Sequence, residues 1–199
     1  MATKVLISFY SRNGSTEALA RAIADGALAA GAEVRLRRVR DFVGPEIMAQ
    51  VPGWTENSAR MHTEYEGPTA DDAEWADAII LGTPTRFGNA SAELKSYIDS
   101  LGALWFQGKL NGKVSSAFVS TGGAHGGNES TILSLYNPMA HLGLIIVPTG
   151  YADPAVFKAG TPYGASAVSS VSPLPTDDEL EVARFQGRRV TEVARLLHP

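Results

Sequence analysis

Lys4-Val-Leu-Ile-Ser-Phe-Tyr10 runs directly into Ser11-Arg-Asn-Gly-Ser-Thr16 and then into a helical pattern over Ser15–Ala30. An apolar run too short for a helix, a turn rich in glycine and hydroxyls, and Leu19, Ala22, Ile23 and Ala27 at helical spacing together spell strand, loop, helix. The unit recurs. Glu33–Val39, Ala78–Thr83, Val114–Ser120 and Leu144–Pro148 read as further strands, with helices expected over Ser91–Leu101 and Glu129–His141. Pro138 is expected to kink or shorten the latter. Thr176 and Glu179 form a capping-box pattern that opens a last helix, Asp177–Leu197. Alternating strands and helices imply parallel βαβ units, and the near-continuous apolar runs Val5–Ile7, Ile79–Leu81 and Leu144–Val147 suit strands covered on both faces. In Glu33–Val39, by contrast, Val34 and Leu36 alternate with Arg35 and Arg37, the pattern of an edge strand with one wet face. The basic run Arg35–Arg40 is read as that wet face.

Composition narrows the chemistry. The chain has 199 residues, 44% hydrophobic and 19% charged, with 20 glycines, 11 prolines and no cysteine. Thiolate nucleophiles, iron–sulfur clusters and cysteine-ligated zinc are therefore excluded, so any redox chemistry requires a bound cofactor. A balance of 17 Lys+Arg against 21 Asp+Glu, net -4, is not that of a nucleic-acid-binding domain. No pair among His62, His125, His141 and His198 has metal-ligand spacing, so no metal site is expected. No apolar run approaches a membrane span and the N-terminus enters a strand at once, so a cytoplasmic protein without membrane insertion is expected. The sequence reads as one domain, 1–199, with two long loops. One, at about 41–76, is acidic and has at most one helical turn before the third strand; the other, at about 149–175, is rich in Gly, Pro, Ser and Ala.

In a doubly wound parallel sheet, ligands bind beyond the carboxyl ends of the strands. The loops there are Ser11–Thr16, Pro84-Thr-Arg-Phe-Gly-Asn-Ala90 and Thr121-Gly-Gly-Ala-His-Gly-Gly-Asn128. Each ends in Asn-x-Ser before a helix, which turn chemistry and a serine N-cap explain. The first loop joins a buried strand to a helix N-terminus, where amides and the helix dipole favour a phosphate. It lacks the lysine of a Walker A loop, and G-x-G-x-x-G is absent, which points to a phosphate monoester that is held and not transferred.

These residues carry a resemblance. The first loop resembles the FMN-phosphate loop of flavodoxin-like proteins. Gly82-Thr-Pro-Thr-Arg-Phe-Gly-Asn89, Gly102-Ala-Leu-Trp105, Ser120–Glu129, Ala140-His-Leu-Gly143, Gly160-Thr-Pro-Tyr-Gly-Ala165 and Ala183-Arg-Phe-Gln-Gly187 resemble, in order, the WrbA-type NAD(P)H:quinone oxidoreductases. The resemblance implies a flavodoxin-like five-stranded sheet of order 2-1-3-4-5 with helices on both faces. It implies an FMN-dependent, ping-pong transfer of two electrons as hydride from NADH or NADPH to a quinone, in a homotetramer. It places the FMN phosphate on Ser11, Arg12, Asn13, Gly14, Ser15 and Thr16, and the isoalloxazine ring along Thr85, Arg86 and Phe87. The pyrimidine edge falls on Ser120, Thr121, Gly122, Gly123, Ala124, His125 and Gly126, with His141 near the flavin and Trp105 bounding the nicotinamide and quinone site. Asn13 stands where many members have an aromatic that contacts the nicotinamide. The residues alone also allow Trp105 and Phe106 as core anchors, His141 as a helix cap and His125 as a solvated loop residue. Whole-protein alternatives are a one-electron carrier and a regulatory or interaction protein.

Overall fold

The computed structural model describes residues 2–169 and 174–198. Residues 170–173 of the second long loop lie outside the described residues. Five strands, β1 (Lys4–Phe9), β2 (Glu33–Arg38), β3 (Ala78–Pro84), β4 (Val114–Thr121) and β5 (Ile145–Ile146), pair in parallel in the order β2-β1-β3-β4-β5. A sixth, β6 (Ser166–Val168), was not expected. It pairs with the carboxyl end of β4, Val119 to Thr121, while β5 pairs with the amino end, Val114 and Ser115. The run read as one strand over Leu144–Pro148 is thus only two residues of ladder, and the sheet edge is completed by a segment some 20 residues later.

The helices cover both faces. α1 (Ser15–Ala29) and α8 (Asp177–Leu197) lie on one face, α5 (Ala92–Ser100), α6 (Gly102–Phe106) and α7 (Asn128–His141) on the other. Strand periodicity sorts the core accordingly. Val5, Ile7 and Phe9 pack with Leu19, Ile23, Val182 and Val190, whereas Leu6 and Tyr10 pack with Leu94, Ile98, Ile132 and Met139. α8 starts at the capping box formed by Thr176 and Glu179. α7 runs through Pro138 to His141 without stopping there, its end held by buried Met139 and by the Leu142 amide on the Pro138 carbonyl.

The acidic segment 41–76 is not a loop with one helical turn. It folds into α2 (Pro45–Met48), α3 (Trp54–Glu64) and α4 (Ala70–Trp75). A Thr69–Asp72 capping box starts α4. Its Asp72 accepts from Arg35 (3.0 Å) and Arg37 (3.2 Å), and Arg35 also stacks 4.0 Å over Trp75. The arginines of β2 are therefore covered, not a bare wet face, and Arg38 at its end is fully buried. The segment 149–175 likewise holds a 3-10 turn, Pro154–Phe157, besides β6.

Candidate functional site

The loops after β1, β3 and β4 converge on one polar cleft of about 200 Å³. It is lined by Ser11, Arg12, Asn13, Ser15, Thr16, Pro84, Thr85, Arg86, Ser120, Thr121, Gly122 and Ser169. Its floor is the start of α1. Gly14, left-handed at φ 95°, is the N-cap, so no side chain caps the helix from that position. Ser11 does part of that work: its Oγ accepts from the amides of Gly14 (3.2 Å) and Glu17 (3.3 Å). The intervening amides of Ser15 and Thr16 are left for an outside acceptor, and Ser15 Oγ is buried without a hydrogen-bond partner. The expected serine N-cap holds only at α5, where Ser91 accepts from Leu94. At α1 and α7 the caps are Gly14 and Gly127, an exchange that opens the helix ends to a ligand.

The other loops are tied to this floor. Thr16 Oγ1 and Ser120 Oγ lie 2.8 Å apart, the Thr85 amide donates to the Ser120 carbonyl (2.8 Å), and Thr85 Oγ1 pairs with Thr131 Oγ1 (2.7 Å). Arg86 and Asn89 close a tight turn whose tip, Phe87, has φ 53° and is fully exposed. A left-handed aromatic is costly, and such strain collects at functional turns. After β4, Thr121 Oγ1 donates to the Gly123 carbonyl (2.9 Å) and the Gly126 amide to the same carbonyl (2.8 Å). Ala124 and His125 stand exposed at the tip of that turn.

Gly14, Phe87, Gly123, Ala124, His125 and Gly126 sit on the converging loops without lining the cleft, and two further residues lie apart from it within one chain. Trp105 and His141 line a separate depression with Ile98, Asp99, Gly102, Pro138 and Leu142. α7 explains this: at about 1.5 Å per residue, His141 sits about 20 Å from Asn128 at its other end. Trp105 is 53% and Phe106 85% exposed, so neither is a core anchor. His141 occupies the last turn of α7, as a helix-capping reading expects. Sequence reasoning missed Ser169, brought in by β6, whose Oγ donates to the Thr121 carbonyl (2.9 Å).

Behind the first loop lies an ionic layer. Glu17, 4% exposed, accepts from Arg60 Nη1 (2.8 Å), Tyr65 Oη (2.8 Å) and Arg21. Burial alone would raise its carboxyl, but hydrogen bonds from Arg60, Tyr65 and Arg21 outweigh that and hold it below the usual carboxylate range. Asp41 behaves likewise: burial pushes it up, and bonds from Arg38, Ser58 and Trp54 bring it down.

The model of the family described as NADPH-dependent FMN reductase matches residues 3–156. Among curated proteins, the chain is 45% identical to NAD(P)H dehydrogenase (quinone) 3 of Rhizobium meliloti (strain 1021), over 96% of this chain and 92% of that one. It is 42% identical to NAD(P)H dehydrogenase (quinone) of Paracoccus denitrificans (strain Pd 1222), over 98% and 95%. Among solved structures, a flavodoxin, WrbA-like protein from Agrobacterium tumefaciens superposes with a TM-score of 0.70 at 25% identity, covering 98% of this chain and 99% of that one. The sheet order, the glycine-capped loop after β1 and these matches lead to one conclusion: the chain belongs to the NADPH-dependent FMN reductase family.

Proposed function

We propose that the cleft binds FMN and that the protein uses it to pass two electrons from NADH or NADPH to a quinone. The observation that carries this reading is the open first turn of α1, where the glycine cap and the partnerless, buried Ser15 Oγ offer donors to an anion without any lysine. Ser11, Arg12, Asn13, Gly14, Ser15 and Thr16 would hold the phosphate. Thr85, Arg86 and Phe87 would lie along the ring, with Ser120, Thr121, Gly122, Gly123, Ala124, His125 and Gly126 at its pyrimidine edge. Bound FMN supplies the redox chemistry, and the names of the relatives, NAD(P)H dehydrogenase (quinone), supply the donor and acceptor.

The chain's own part is orientation and electrostatics. Glycine amides of the loop after β4 would approach the pyrimidine edge and stabilise negative charge there. The Thr16–Ser120 and Thr85–Thr131 contacts fix the three loops relative to one another, so that reacting groups meet in one geometry. A cleft of about 200 Å³ is smaller than the roughly 300–1,000 Å³ usual for such ligands. The rest of the ring would rest on the open side beside Phe87, and a second copy would close it, bringing Trp105 and His141 over the cleft. Exposed Phe87, Trp105 and Phe106 support self-assembly, and we take this assembly to be a homotetramer, in the cytoplasm. Asn13, which lines the cleft, would touch the nicotinamide.

The test is direct: FMN is added to the purified protein and NADH or NADPH oxidation is followed with benzoquinone as acceptor. Flavin binding with parallel initial-rate lines is expected, because one face would serve donor and acceptor in turn. Absence of flavin binding overturns the reading.

A further inference from the structure

Arg38 is the largest fully buried side chain of the described residues. It ends β2, where it pairs in register with Phe9 of the interior strand β1. Its Nη2 donates to the Ser11 carbonyl (3.0 Å) and to Asp41 Oδ2 (2.6 Å), while Nε and Nη1 are buried with no partner. A buried cation with two unused donors is costly, and structures keep one where its charge is used. Asp41 does not simply cancel it. That carboxylate is shared with Tyr10 Oη (2.9 Å), Trp54 Nε1 (3.0 Å) and Ser58 Oγ (2.7 Å). On the solvent side, the Arg12 guanidinium lies 4.5 Å over the same Trp54 ring and lines the cleft.

We propose that Arg38 is a positioning residue of the phosphate subsite. From behind the loop it fixes the Ser11 carbonyl, and through it the Ser11 hydroxyl that orders the amides of Gly14 and Glu17. Its charge gives the cleft its preference for a phosphate dianion over the neutral end of riboflavin. The inference rests on the reading that the cleft holds FMN, and it adds a buried cation to a lysine-free loop whose own cation is Arg12.

Quenching of flavin fluorescence on titration with apoprotein gives affinities for FMN and for riboflavin. The variants are Arg38→Lys and the pair Arg38→Met with Asp41→Asn, which avoids stranding a carboxylate; circular dichroism checks that each is folded. In the double variant FMN affinity is expected to fall at least about tenfold with riboflavin affinity kept within about twofold. Arg38→Lys, which keeps the charge, is expected to hold the FMN-to-riboflavin ratio within about threefold. A double variant that keeps the wild-type ratio, or loses both ligands alike, overturns the inference and leaves Arg38 a structural residue. A wild-type measurement can overturn the inference even if the double variant does not fold. A preference set by a buried charge persists between about 0.05 and about 0.5 M salt, whereas one set by partly exposed Arg12 collapses and overturns the role of Arg38. Failure of the wild type to bind either flavin would instead reject the reading of the cleft itself.

Discussion

Gly187→Ala tests the packing that holds α1, and with it the floor of the cleft, against α8. Helix propensity alone says that the change should stabilise the protein, since alanine is better than glycine inside a helix by about 1 kcal/mol. The contact says the opposite. A Cβ at Gly187 would stand 2.0 Å from the Ile23 carbonyl oxygen and 2.9 Å from the Ala27 amide nitrogen of α1. Both are backbone atoms, so no rotamer change relieves the clash. Restoring ordinary contact near 3.4 Å means moving the helices apart by about 1.4 Å, and a gap of 0.5–1 Å already forfeits about a quarter to half of each dispersion contact. The contacts at stake are those of Leu19, Ile23 and Ala27 with Val182, Ala183, Val190 and Ala194. Overpacking at the upper end of its range, about 3 kcal/mol, less the propensity gain of about 1, leaves a net loss of about 2 kcal/mol. For a chain of this size that is a fall in Tm of about 4–8 °C. Gly26→Ala, whose Cβ would meet the Arg184 carbonyl oxygen at 1.9 Å, should cost as much. The pair should cost less than the sum, because the first substitution has already parted the helices. Urea melts of the apoprotein at one fixed concentration measure all three. A stabilised Gly187→Ala, or strictly additive losses, would refute the close approach of the two backbones.

Three further outcomes are expected. Thr16→Val or Gly14→Val should weaken FMN binding by at least about tenfold in equilibrium titration, the first by removing a hydroxyl and the second by forcing a β-branched residue to φ 95°; unchanged affinity would place the phosphate on another loop. Glu17→Gln should cost about 2 kcal/mol at pH 7, a figure discounted because Arg21 and Arg60 are about half exposed. Glu17's folded value lies below its unfolded one, so its contribution is present above about pH 4.3 and is lost as pH falls through the folded value; urea melts from pH 7 to 3 should show the gap between wild type and variant closing. Trp105→Ala should change monomer stability by no more than about 0.5 kcal/mol, being exposed, and raise the KM for quinone; a loss of about 3–5 kcal/mol in melts would make it a core anchor after all.

The sheet and its helices were legible because their signals are local. Val5–Ile7 and Ile79–Leu81 are buried on both faces as continuous apolar runs require, and the Thr176–Glu179 box opens α8 at the expected residue. What escaped is non-local or masked by composition. β6 is three residues, Ser166–Val168, whose strand character exists only in its ladder with β4. α3 buries only Trp54 and Met61 and carries many polar residues, so its helical period is faint. Glycines and prolines on either side made the whole stretch resemble a loop. The arginines of β2 did carry a usable clue. With period two, Arg38 falls on the face of Val34 and Leu36, not on that of Arg35 and Arg37, so the alternation itself sets a charge on the apolar side of the strand.

That misplaced charge makes sense of the excursion between β2 and β3. Three ties from α3 and its approach converge on the loop after β1: Trp54 and Ser58 hold Asp41, which holds Arg38 under Ser11; Trp54 stacks on Arg12; and Arg60 binds Glu17 in the first turn of α1. A surface loop between a strand and a helix is ordinarily among the more mobile parts of a fold. A ligand that must order such a loop loses that entropy from its affinity, so fixing the loop beforehand strengthens binding without adding a contact. The same ties keep Arg60 on Glu17 and Arg38 on Asp41 close behind the anion site. A chain of net charge -4 can therefore present a preformed anion cradle: its cations are held locally by its own carboxylates, and unpaired donors remain in the cleft at Ser15 and beneath it at Arg38.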